Sequence, residues 1–168
     1  MTDEVNVNID VTEEFTITDK LVPDFRMATQ ISEWLHNNIS NLTDDNNHKI
    51  FNKVSYGFDS EKLKTFGKKP TADIYIDHVE YNRDFDYMRP VSVHTIVVFY
   101  MKGANDVAYR KTSELHDYLM QEFISNDDWR ILNGLVRDTL ITNSQLMSQP
   151  SSKRWGVMGV FELNHQLF

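Results

Sequence analysis

The feature that most constrains this chain is the run VSVHTIVVFYM, residues 91–101. All but Ser92, His94 and Thr95 are apolar, and most of those are β-branched or aromatic. The run is too short to span a membrane as a helix. Its residue types fit a pleated, packed surface, so it is predicted to be the central strand of a sheet. Pro90 stands at its start; inside the strand it would remove a ladder hydrogen bond.

On either side the hydrophobic period changes. Phe25, Ala28, Ile31, Trp34/Leu35, Ile39 and Leu42 recur at spacings of three and four. That spacing predicts a helix over residues 19–42, with Pro23 in its first turn. GANDVAYRKTSELHDYLMQEF predicts a second helix, capped by Asn105 or Asp106, with Ala108, Thr112, Leu115, Leu119 and Phe123 as its buried stripe. ISNDDWR breaks that helix. TADIYIDHVEY alternates: Ala72, Ile74, Ile76 and His78 are expected on one face, Asp73, Tyr75, Asp77 and Val79 on the other. IFNKVSYGF suits a short strand, residues 131–148 suit another, and QPSSK marks a turn. In the last strand Val157, Phe161, Leu163 and Leu167 oppose Glu162, Asn164 and Gln166. Gly156 and Gly159 there suggest a bulge or a close backbone approach.

This order predicts an α+β domain over residues 19–168. Its mainly antiparallel mixed sheet carries an N-terminal helix and a second helix, and a long C-terminal strand pair closes the chain. Residues 1–18 form an N-terminal arm in which Val5, Val7, Ile9 and Val11 alternate among acids and Asn. The arm is compatible with disorder and with strand addition to a neighbour.

Composition removes several function classes. With no cysteine, disulfides, thiol nucleophiles and thiolate metal sites are out. A net charge of −8 argues against gripping nucleic acid through its phosphates, while an acidic surface lets DNA slide past. The basic cluster Lys62, Lys64, Lys68 and Lys69 flanks Gly67 and Pro70 and is expected to be a solvated loop. No Walker loop, G-x-G-x-x-G or G-x-S-x-G pattern occurs, so no cofactor and no catalytic residue is assigned. The start, MTDEVNVNIDVTEEF, is not a basic-then-apolar leader, so synthesis in the cytoplasm and no membrane partner are expected.

Three places could hold a metal. His94 is expected beside His78 on neighbouring strands, with Asp73 and Asp77 nearby, giving a two-His pair or simply hydrogen-bonded polar side chains. Adjacent strand residues point to opposite faces, so Asp77 and His78 are not expected to ligate one ion. ELHDYLMQEF lacks the second His of a zinc helix, which leaves Glu114, His116 and Asp117 as a solvated face. Asp84 and Asp86 are spaced like calcium-loop ligands, but Met88 follows and no glycine makes the turn. No metal site is therefore assigned. Trp34, Trp129 and Trp155 are assigned to packing rather than to base stacking. In NRDFDYMRP, residues 82–90, the hairpin connection carries Phe85, Tyr87 and Arg89, with Arg83 nearby. Exposed aromatic and Arg side chains of this kind anchor interfaces, and these four are the candidate subunit-contact residues.

From RPVSVHTIVVFYMKG through NDVAYRKTSELHDYLMQEF to RWGVMGVFELNHQLF, the layout resembles the tail-terminator family of long-tailed bacteriophages and related head–tail connector proteins. The resemblance covers about residues 22–168 and lies in element order and hydrophobic pattern. It implies a non-enzymatic virion protein at the head–tail interface. Such a protein forms a hexameric ring on the tail tube protein, often from free monomers, ends tube polymerisation and meets the head connector or neck protein. DNA would pass through the lumen without specific binding. The arm and the loop at 42–50 are additions to a compact member of that family. The alternatives are a metal-dependent enzyme with its site near His78 and His94, and a small protein-binding adaptor that takes a strand at its sheet edge.

Overall fold

The apolar run lies at the centre of the sheet. The computed structural model describes residues 23–57, 69–84, 87–103, 105–151 and 154–168. Helix α1 covers Pro23–Ser40, followed by strands β1 (Lys53–Tyr56), β2 (Thr71–Asp84) and β3 (Tyr87–Gly103). Helices α2 (Asn105–Ser125) and α3 (Asp127–Ile131) come next, then a 3₁₀ turn at Leu132–Gly134. Strands β4 (Asp138–Ser151) and β5 (Arg154–Gln166) complete the chain. The sheet order is β1-β2-β3-β5-β4, with β1 parallel to β2 and every other pair antiparallel. This is the α+β architecture, with its mainly antiparallel mixed sheet, that the sequence predicts.

The helices share one face of the sheet. Ala28, Ile31, Leu35 and Ile39 of α1 and Leu115, Leu119 and Phe123 of α2 are buried against Ala72, Ile74, Val93, Val97, Phe99, Phe161 and Leu163. Burial of these side chains is the main stabilising term. Trp34 and Trp129 meet edge-on at 5.4 Å in this core, and Trp129 also meets Phe123, so both act as packing residues. The predicted break falls at Asn126, after which Asp127–Ile131 form a short helix. Asn126 caps α3 by accepting the Asp128 N–H, which turns the chain and seats Trp129 in the core. Asn105 and Asp106 lie inside the first turn of α2, where the Asp106 carboxylate complements the helix dipole. The β1 edge is pinned by His36 of α1, whose ring stacks on Tyr56 at 4.5 Å and whose Nε2 lies 3.1 Å from the Val54 carbonyl.

Four other expectations need correction. His116 is not on a solvated face: its ring stacks on Phe161 at 4.6 Å, while Glu114 and Asp117 are exposed. Pro90 is the fourth residue of β3 rather than its start. It is tolerated because β5 pairing begins only at Ser92, so Pro90 has β2 alone as a neighbour, beside a bulge. Gly156 stays in register with Lys102 and Gln149, so it makes no bulge. Gly159 is a close approach, with the Phe99 ring lying over its Cα on the paired strand. The last correction concerns β2. The register slips between Ile76 and His78, leaving Asp77 as an extra residue, so His78 moves to the face opposite Ala72 and Ile74 while Val79 packs on the core.

Candidate functional site

Two features of the β2–β3 hairpin stand out, a projecting ribbon and a cluster of His and Glu at its root. The pairing of β3 with β5 ends at Ser92 opposite Gln166. Beyond it, Tyr81–Asp84 and Tyr87–Pro90 continue as two strands with no third strand beside them among the described residues. The stretch predicted as a connection is therefore mostly strand, with Asp84 paired to Tyr87. Phe85 and Asp86 lie outside the described residues, as do the arm at 1–18 and Lys62, Lys64 and Lys68. By register Arg83 pairs with Met88 and Asn82 with Arg89. Arg89 is exposed and donates a hydrogen bond to the Phe168 carbonyl, tying the ribbon to the last residue of the chain. A hollow of about 440 Å³ opens at this root between Arg89, Arg137, Asn164 and Gln166.

The cluster occupies the open face just behind the ribbon. His78 and His94 are register partners, and their rings stack at 4.0 Å with 12° between planes. Glu80 follows His78 by two residues and lies opposite Ser92. Ser92 Oγ donates to Glu80 Oε2 at 2.7 Å, and His94 Nε2 lies 3.3 Å from the same oxygen. The Ser92 hydrogen bond, followed by the one from His94, holds the Glu80 carboxyl below its ordinary value. Because Asp77 sits in the bulge it can turn toward its neighbour, and Asp77 Oδ2 lies 2.7 Å from His78 Nδ1. The rule that adjacent strand residues diverge holds for a regular ladder and fails here. Asp73, expected near this group, is buried four residues back and is not part of it.

The structure thus joins His78 and His94, as the sequence predicts, and adds Glu80 and Ser92, which sequence reasoning missed. The available signal was the pair of spacings H-x-E at 78–80 and S-x-H at 92–94, which an antiparallel register places face to face. At the other end of the sheet, a cleft of about 930 Å³ is bordered by Lys49, Lys69, Lys102 and Lys111 and by Asp44, Asp45 and Glu114. Lys69, from the predicted basic loop, reaches the Lys49 carbonyl there at 3.5 Å, and the charges are mixed. None of the described helices is long and apolar enough to cross a membrane. A scan against protein-family models finds no match, and a search of curated proteins finds no relative.

Proposed function

We propose that this chain is a structural virion protein that assembles into a hexameric ring on a phage tail tube. There it ends tube polymerisation and presents a surface for head–tail joining. The observation that carries this reading is the ribbon of Tyr81–Asp84 and Tyr87–Pro90, which has no third strand beside it among the described residues. A two-stranded ribbon is marginally stable in water unless something packs on it, and here nothing within the described chain does so by strand pairing. A neighbouring subunit would supply that support, with Arg83, Phe85, Tyr87 and Arg89 as its anchors. The element order, with one helix before the central hairpin, one after it and a long strand pair closing the sheet, is the layout that the resemblance to tail terminators predicts. An acidic chain suits a lumen that DNA must traverse without sticking. The role is non-enzymatic, and its partners are other copies of the chain, the tail tube protein and a head connector or neck protein.

The combined substitution Phe85→Ala and Tyr87→Ala tests this. Truncating a buried interface aromatic costs about 2 kcal/mol or more per interface, so rings are expected to disappear. The monomer should remain folded, with an unchanged circular dichroism spectrum. Sedimentation velocity at matched concentrations reads the result. Rings that form equally well in the double variant would refute the placement of the interface on the ribbon.

A further inference from the structure

We propose that His78, Glu80 and His94 bind a divalent transition-metal ion of the kind that prefers imidazole, with Zn²⁺ as the reference case. The three residues come from two strands of one ladder, and one ligand atom from each lies within 4.8 Å of the others. The separation of 3.3 Å between His94 Nε2 and Glu80 Oε2 is close to the edge of a tetrahedron. With donors about 2.0–2.1 Å from a central zinc, that edge is roughly 3.3 Å. Two of the three ligands are therefore already spaced for a shared ion.

The third is held from behind. Asp77 occupies His78 Nδ1 at 2.7 Å, which fixes the tautomer and leaves Nε2 free to ligate. A carboxylate behind a ligating imidazole is the usual outer shell of a zinc site. The β-bulge makes it possible, since in a regular strand Asp77 would point away. Ser92 holds the carboxylate at 2.7 Å in the same way.

One movement is required. Parallel stacked rings aim their lone pairs alongside one another, so His78 must turn off the face of His94 to converge on the ion. His78 is half-exposed and has room to turn, whereas His94 is largely enclosed and keeps its position. Two nitrogens and one oxygen select zinc, nickel or copper over calcium and magnesium, which take oxygen shells. Three protein ligands leave a fourth position for water or for a group brought by another molecule. The site does not depend on ring formation, so its failure and the failure of the ring reading are separate results.

Calorimetric titration of the full chain with zinc chloride, at neutral pH in a non-coordinating buffer, tests the inference. One equivalent should bind, and His94→Asn and Glu80→Gln should each remove that binding. His78→Asn sits on an exposed ring, so it cannot fail merely by unfolding, and it should remove binding too. Asp77→Asn, which touches no metal, should weaken affinity by about tenfold to a hundredfold while keeping the stoichiometry. His48→Ala, in the distant loop, should change nothing. Absence of stoichiometric binding, or binding that survives His78→Asn, would overturn the assignment. Equal sensitivity to His48→Ala would overturn it as well.

Discussion

Substituting Gly159 by alanine is expected to destabilise the fold by about 3 kcal/mol, at the upper end of what overpacking a core costs. Gly159 is paired with Phe99 across β5 and β3, and a Cβ built at 159 would overlap the Cζ, Cε1 and Cε2 atoms of that ring. The ring has little freedom to retreat. Phe99 is fully buried, and its neighbours include Phe161 at 6.1 Å and His116 at 6.4 Å, themselves stacked on each other. Either the ring leaves its rotamer or the two strands separate, and both disturb the centre of the sheet. Urea denaturation reads the loss as a lower midpoint with an unchanged slope. Phe99→Leu should cost stability alone, yet combined with Gly159→Ala it should cost clearly less than the sum. Strict additivity would show that the ring does not constrain the glycine.

The second large effect is a dependence on pH that runs through His165. This residue is wholly buried between two threonines, with Thr95 Oγ1 at 2.7 Å from Nε2 and Thr139 Oγ1 at 2.9 Å from Nδ1. Burial first, and the nearby His94 second, push its pKa down to about 3. In the unfolded chain a histidine takes up its proton near pH 6.5, so below that value the unfolded state binds more protons than the folded one. Stability is therefore complete above the unfolded value and falls as the pH drops toward the folded one. Between pH 7 and pH 5 the loss from this group should be about 2 kcal/mol, measured as a shift in urea midpoint. His165→Gln retains one donor and one acceptor for the threonines but has no proton to gain. That variant should start less stable and lose about 2 kcal/mol less than the parent over the same interval. Parallel curves for the two proteins would show that His165 is charged or solvated in the fold.

The architecture was readable because it rests on periodicity. The apolar run at 91–101, the stripes at Ala28–Ile39 and Leu115–Phe123 and the alternation at Val157–Leu163 each fix an element and its buried face. Irregular positions were not readable in this way. One extra residue, Asp77, reverses which face His78 occupies, and no local propensity announces it. The same slip draws Asp77 to His78, so the outer shell of the candidate site is a product of register. Glu80 and Ser92 were invisible for a related reason, since their partnership exists only once β2 and β3 are aligned. The charged neighbours of His116, Glu114 and Asp117, suggest a wet face, while the helix turns the His116 ring toward Phe161. The polar composition of the ribbon suits a loop and hides the continued pairing as far as Asp84 and Tyr87.

The central claim, that this chain closes a tail tube as a ring, is tested most directly by negative-stain electron microscopy. The full chain would be imaged alone at high concentration and again with purified tail tubes. Ring-shaped particles with a central hole, and tubes carrying one such ring at a single end, are the predicted result. A protein that stays monomeric with tubes present, leaving their ends open and still able to elongate, would contradict it.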